Sequence, residues 1–122
     1  MIHHRTLIAS FNYAFEGIKY AMQYNQNLRI HFVIALFVIG ASVFFQVTPF
    51  EMGILGIMIL LVICCEMINT AIEQMVDLIT KEHRQEAKVA KDVSAGMVLL
   101  TSIGSVVVGL LIFIPHILRL LG

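Results

Sequence analysis

The chain has 122 residues, of which 59% are hydrophobic and 13% are charged, and its formal net charge is zero. A soluble domain of this length cannot bury so much apolar surface, and a chain without excess positive charge gives no indication of a nucleic-acid partner. The composition therefore predicts a protein embedded in a membrane.

The first predicted element is an amphipathic helix at about residues 5–25. Its apolar side chains recur at helical spacing, with polar residues on the other side, and they are Leu7, Phe11, Phe15, Ile18 and Met22. We expect this helix to lie on the cytoplasmic membrane surface instead of crossing the bilayer, either as a plain anchor or as one wall of a site.

Three apolar segments that are long enough to cross a bilayer follow, at about residues 28–48, 50–79 and 93–121. The second would be about 40 Å long as a helix and would project beyond a hydrocarbon core of roughly 30 Å. Lysine and arginine lie before the first segment and between the second and third, whereas the connection at 46–51 has none. By the positive-inside rule, the N-terminus and residues 80–93 are cytoplasmic. The predicted fold is all-α, with three transmembrane helices and one surface helix.

The second segment carries a polar stripe on one helix face. At 100° per residue, its four members fall within an arc of about 80°, and they are Glu66, Asn69, Glu73 and Asp77. Burying one carboxylate in hydrocarbon costs roughly 2.5–3.5 kcal/mol on insertion scales, so three acids on one stripe indicate a function. Glu66 would lie about 16 Å along the axis from Asp77, deeper in the membrane.

The chemistry of this stripe allows three interpretations. Interfacial carboxylates can hold Mg²⁺ that bridges to substrate phosphates, while a deeper carboxylate exchanges a proton with a hydroxyl group. The same acids could be stations on a proton or cation path in a small transporter. They could also be polar contacts that only join helices, which in a thin bundle favours self-association. The sequence has no Walker-type loop, protein-kinase loop or dinucleotide-binding glycine motif, so all three interpretations stay open at this point.

The segment between the second and third spans is basic and can also be helical. Its cations recur on one side, which suits anionic headgroups or the phosphates of a ligand, and they are Lys81, Arg84, Lys88 and Lys91. Asp92 follows at the predicted start of the third span, where a carboxylate favours a helix N-terminus.

Two motifs stand out in the chain: EMINTAIEQMVD at 66–77, and AKD at 90–92 followed by AG at 95–96. They resemble the motifs of the bacterial integral-membrane diacylglycerol kinase family, which also contains the undecaprenol kinases of Gram-positive bacteria. Phe11, Ala14 and Gly17 in the surface helix, together with NLRIH at 27–31, are similar to the Gram-positive branch. The resemblance extends over nearly the whole chain.

The resemblance implies a homotrimer in a bacterial inner or plasma membrane, with active sites shared between neighbouring subunits at the cytoplasmic interface. It implies transfer of the γ-phosphate of MgATP to the hydroxyl of a membrane lipid, undecaprenol or diacylglycerol. By position, Glu66 would be the general base, Asn69 would help to hold it, and Glu73 would ligate Mg²⁺.

The resemblance also implies which residues hold the nucleotide. Asp77, Lys91 and Asp92 would bind ATP and its phosphates, with further nucleotide contacts from Arg5 and Gly17. Phosphoryl transfer needs mainly positioning and charge neutralisation, so a site with so few groups is chemically sufficient.

One position departs from the family pattern. The family has a metal-ligating glutamate six residues before the position of His31, where this sequence has Asn25. An amide oxygen can coordinate Mg²⁺ but brings no negative charge, so a metal-ligating Asn25 predicts weaker Mg²⁺ binding. In that role, Asn25→Glu would raise turnover at low Mg²⁺. We assign no catalytic role to His31 or His116.

Overall fold

The computed structural model describes residues 6–122, and these form four helices. In chain order they are α1 (Leu7–Tyr24), α2 (Gln26–Phe44), α3 (Pro49–Ile79) and α4 (Gln85–Leu121). The helices α2, α3 and α4 are each long and apolar enough to cross a membrane. The prediction of an all-α protein with three candidate spans is therefore confirmed.

The start of α3 is set by a capping box. Thr48 Oγ1 accepts a hydrogen bond from the Glu51 backbone N–H at 3.1 Å, and the Glu51 carboxylate accepts one from the Thr48 N–H at 2.9 Å. Pro49, whose fixed φ suits a first helical position, follows the cap directly. These three residues explain why the long helix begins where it does.

A single residue, Asn25, separates α1 from α2. Its backbone is extended, with φ −112° and ψ 102°, and its N–H donates to the carbonyl oxygen of Ala21 at 2.8 Å. Its side-chain Oδ1 accepts from the Leu28 N–H at 3.1 Å and so caps the first turn of α2. One residue thus ends one helix and starts the next.

The helix α4 begins at Gln85, earlier than the start of the predicted third span near residue 93. Residues 85–93 contain neither glycine nor proline, so nothing interrupts a helix that runs from the basic segment into the apolar one. Asp92 consequently lies inside α4, past its first turn, and does not cap the helix as predicted.

The helix α3 is central, since it contacts each of the other three helices and has its most extensive contact with α4. Apolar side chains such as Leu55 and Val62 are buried along it. Between residues 6 and 122, the buried side chains also include four polar ones, Ser42, Glu66, Asn69 and Ser94. Polar contacts therefore join these helices along with apolar packing.

The unequal lengths of α2 and α3 place one end of α3 beyond the end of α2. The two helices are joined by residues 45–48 and have 19 and 31 residues, which correspond to about 28 Å and 46 Å. The C-terminus of α2 and the N-terminus of α3 lie level at this connection. The C-terminal end of α3 therefore extends about 18 Å beyond the N-terminus of α2. Glu66 lies level with that end of α2, since it is hydrogen-bonded to Asn25, whereas Asp77 lies on the projecting part.

Thr48→Ala removes the side-chain acceptor of the α3 capping box and is expected to lower the free energy of unfolding by about 1 kcal/mol. The matched control is Thr101→Ala, because the Thr101 hydroxyl lies against carbonyl oxygens of its own helix. Equilibrium unfolding in detergent micelles measures both variants. Equal stability of the two would contradict the capping role.

Candidate active site

Glu66 is the one buried charged residue between residues 6 and 122, with 1% of its surface exposed. Both carboxylate oxygens face residues at the start of α2. Asn25 Nδ2 donates to Oε2 at 3.0 Å, and His31 Nε2 lies 3.5 Å from Oε1. A carboxylate removed from water needs such partners, so α2 supplies the groups that make this burial possible.

Thr70 extends the contact between Asn25 and α3. Asn25 Nδ2 also donates to Thr70 Oγ1 at 2.7 Å, and the Thr70 hydroxyl donates to the backbone carbonyl of Glu66 at 3.1 Å. Each of the two N–H protons of the Asn25 amide therefore has an acceptor on α3.

Asn69 forms a second buried polar contact, this time between α3 and α4. The Ser94 hydroxyl, 2% exposed, donates to Asn69 Oδ1 at 2.6 Å. Asn69 Nδ2 points the other way and lies 3.5 Å from Glu73 Oε1. Ser94 thus orients the Asn69 amide so that its N–H groups face the exposed carboxylate of Glu73.

Asp77 and Lys91 form an ion pair on the projecting end of α3, with 2.8 Å between Oδ1 and Nζ. Their side chains are 45% and 42% exposed, respectively. Because solvent screens an accessible ion pair of this kind, a competing anion can separate it at little cost. Asp92 pairs instead with Lys88, at 2.6 Å on an exposed face of α4.

A cavity of about 460 Å³ opens beside the Asp77–Lys91 pair, between the end of α3 and the start of α4. Four of its lining residues are lysine or arginine and two are acidic. The charged lining residues are Asp77, Lys81, Glu82, Arg84, Lys88 and Lys91. This lining suits a polyanion such as a chain of phosphates.

A second polar cavity, of about 250 Å³, lies between the α1–α2 junction and the last third of α3. Amide side chains dominate its lining, and Glu73 contributes its carboxylate. The lining residues are Tyr24, Asn25, Gln26, Asn27, Asn69, Thr70, Glu73 and Gln74. The deep carboxylate of Glu66 and the shallower one of Glu73 thus each have a neutral amide partner, Asn25 and Asn69 respectively.

The predicted Mg²⁺ ligands differ in how well they fit such an ion. Mg²⁺ usually keeps several waters and is held by one or two carboxylates together with substrate phosphates. Glu73 is exposed and fits this description. The Asn25 oxygen is already bonded to the Leu28 N–H, so its amide turns donors toward the site. The part of the chain that the structure describes has no group of three or more His, Cys, Asp or Glu side chains placed to hold a metal ion.

Of the two predicted nucleotide contacts near the N-terminus, the structure describes Gly17. Gly17 is on an exposed face of α1, and a Cβ added there would have no neighbouring atom within 4 Å. Arg5 lies outside the described residues.

Three residues close to the predicted site were not selected by the sequence analysis: His31, Thr70 and Ser94. In the family pattern, the position of Asn25 is counted from that of His31. This fixed spacing was the only sign in the sequence that His31 lies near the site. The contacts of Thr70 and Ser94 depend on how α2 and α4 pack against α3, which no spacing within one helix reveals.

Residues 12–113 match the model of the family described as prokaryotic diacylglycerol kinase. The chain is 37% identical over 116 residues to a diacylglycerol kinase of Synechocystis sp., covering 94% of this chain and 66% of that protein. It is 37% identical over 106 residues to an undecaprenol kinase of Bacillus subtilis, covering 87% of this chain and 86% of the relative. A diacylglycerol kinase of Haemophilus influenzae is 31% identical over 109 residues, with 88% and 92% covered.

Three helices long enough to span a membrane, one buried acid and a basic cavity farther along the same helix are the features that the resemblance to membrane-embedded kinases implied. The match over residues 12–113 makes the assignment specific: the chain belongs to the prokaryotic diacylglycerol kinase family. It spans just under two thirds of the Synechocystis protein. The matched region includes the polar stripe and both cavities, and it gives no support to the transporter interpretation.

Ser94→Ala leaves the buried oxygen of Asn69 without its donor and is expected to lower the free energy of unfolding by about 1–3 kcal/mol. Ser105→Ala is the matched control, because the Ser105 hydroxyl lies 2.8 Å from the Ser102 carbonyl oxygen in its own helix. Unfolding of both variants in the same micelles gives the comparison. If Ser94→Ala were no less stable than Ser105→Ala, the buried contact would not hold α3 to α4.

Proposed function

We propose that the protein is an ATP-dependent lipid kinase, which transfers the γ-phosphate of MgATP to the hydroxyl of undecaprenol or diacylglycerol. The observation that carries this proposal is the placement of Glu66. Its carboxylate is buried level with one end of α2, while a basic cavity lies farther along α3, at the helix's projecting end. A deep proton acceptor and a shallower site for phosphates are the two parts that such a transfer needs.

Glu66 acts as the general base that accepts the proton of the lipid hydroxyl. An apolar cavity of about 260 Å³ runs between α2, α3 and α4, and His31 is among the residues that line it. His31 Nε2 lies 3.5 Å from Glu66 Oε1, so this cavity leads toward the carboxylate. A lipid chain in the cavity would bring its hydroxyl to the base, which is the positioning on which the rate depends.

The nucleotide binds at the projecting end of α3. Lys91 exchanges the Asp77 carboxylate for a phosphate oxygen, which costs little because both side chains are partly exposed. Glu73 is the carboxylate that holds Mg²⁺, and the ion, when bound, neutralises charge on the phosphates. Asp92, now paired with Lys88, completes the nucleotide contacts.

The kinase is a homotrimer in the plasma membrane, with its N-terminus in the cytoplasm and α1 on the membrane surface. The protomer supports shared sites because the Glu73 carboxylate is exposed at a polar cavity, where a neighbouring subunit can cover it. Chemical cross-linking in native membranes should yield trimers, and a chain that stays monomeric would contradict the proposal.

Glu66→Gln keeps the shape of the side chain but removes the proton acceptor, so kcat is expected to fall by about 10²- to 10⁴-fold. Assembly and nucleotide binding should persist. Glu16→Gln, at an exposed position of α1, is the matched control. Loss of assembly in Glu66→Gln would favour a role as a polar helix contact over catalysis.

Lys91→Gln removes the cation that receives the phosphates, and the KM for MgATP is expected to rise by about tenfold or more. The same change at Lys19, exposed on α1, should leave KM unchanged. Steady-state kinetics with saturating lipid separate KM from kcat, and an unaltered KM would remove Lys91 from the nucleotide site.

The acceptor lipid is identified by supplying diacylglycerol and undecaprenol separately, in mixed micelles with radiolabelled ATP and titrated Mg²⁺. Label in one lipid supports the kinase proposal and names the acceptor. No label in either lipid, from protein shown to be folded, would overturn it.

A further inference from the structure

We propose that Asn25 is a positioning residue for Glu66 and not a ligand of Mg²⁺. This inference rests on the proposed kinase function, since it assigns to Asn25 the task of holding the general base. It reverses the expectation that followed from the sequence, in which Asn25 stood where a metal-binding carboxylate was expected.

The orientation of the Asn25 amide is fixed by three partners. Its Oδ1 accepts from the Leu28 N–H at 3.1 Å, and its Nδ2 donates to Glu66 Oε2 at 3.0 Å and to Thr70 Oγ1 at 2.7 Å. The reversed amide would place N–H groups against the Leu28 N–H and an oxygen against the Glu66 carboxylate. The oxygen is thereby committed to the helix cap and the two donors to α3.

The burial of Glu66 explains why a neutral donor suits this position. The carboxylate is 1% exposed, so it cannot satisfy its oxygens with bulk water. A carboxylate at position 25 could still cap α2, but it would place a second negative charge about 3 Å from Glu66, where the two would repel. An amide provides the same cap together with an N–H for the base.

Asn25 also fixes where Glu66 lies relative to two helices. Its backbone N–H ends α1 and its side chain starts α2, so the hydrogen bond to Glu66 joins the α1–α2 junction to α3. A base held from a helix terminus keeps its geometry better than one held from a mobile loop. The loss of this contact should therefore affect the chemical step more than nucleotide binding.

Asn25→Asp tests this role, because aspartate keeps the helix cap but loses the donor. We expect kcat to fall by about tenfold or more while the KM for MgATP changes by less than about twofold. The Mg²⁺ concentration for half-maximal rate should not fall. Asn12→Asp makes the same chemical change on the exposed face of α1 and should match the unmodified chain. An unchanged or higher kcat in Asn25→Asp, with less Mg²⁺ required, would overturn the proposal in favour of a metal ligand.

A second experiment exchanges the amide of residue 25 and the carboxylate of residue 66, and it measures thermal stability instead of kinase activity. Asn25→Asp alone should lower the melting temperature in micelles by roughly 3–6 °C, because two carboxylates then face each other. Adding Glu66→Gln supplies an amide that donates to the carboxylate introduced at position 25, and it should restore the melting temperature. A double variant no more stable than Asn25→Asp would overturn the proposal. Because melting reports this contact whether or not a lipid is phosphorylated, failure of the kinase proposal and failure of this inference can be told apart.

Discussion

The burial of one carboxylate, that of Glu66, is the constraint on which the rest of the structure depends. A charged group withdrawn from water is stable only where other groups replace the lost hydration. Here these groups come from the start of α2, through Asn25 and His31. Because Asn25 caps α2 and His31 lies within it, their contacts with Glu66 fix how α2 lies along α3. The level of the candidate base in the bundle follows directly from this register.

Neutral and charged partners are divided between the interior and the projecting end of α3. Asn25 and Asn69 each direct an oxygen to the protein framework and an N–H group to a carboxylate of α3. The lysines and arginine of the α3–α4 junction line a cavity at the other end of the stripe. An amide steadies an acid without the competing attraction of a fixed cation. Glu66 thus stays available in the interior, while the positive charges lie in the region that would meet phosphates.

Much of the architecture could be predicted from the sequence because it depends on local properties. The lengths of the apolar segments predicted the three candidate spans. Helical periodicity predicted a polar stripe on one face of the second span, formed by Glu66, Asn69, Glu73 and Asp77. The basic segment was expected to be able to form a helix, but its continuity with the third span was missed, because a change from basic to apolar residues resembles a boundary although no residue there breaks a helix. The bond of Ser94 to Asn69 and the role of the Asn25 oxygen as a cap depend on packing and rotamers, which a single sequence does not contain.

The short length of α2 has a consequence for how the protein would respond to its lipid surroundings. At about 28 Å, α2 is slightly shorter than an average hydrocarbon core of roughly 30 Å, whereas α3 and α4 exceed it. Long helices adapt to a thick bilayer by losing tilt, whereas a short one is accommodated by local thinning of the bilayer, by snorkelling of flanking side chains or by oligomerisation. Such hydrophobic mismatch would draw headgroups toward the Asn25 end of α2. Bilayer thickness would then control how far a lipid hydroxyl must travel to reach Glu66.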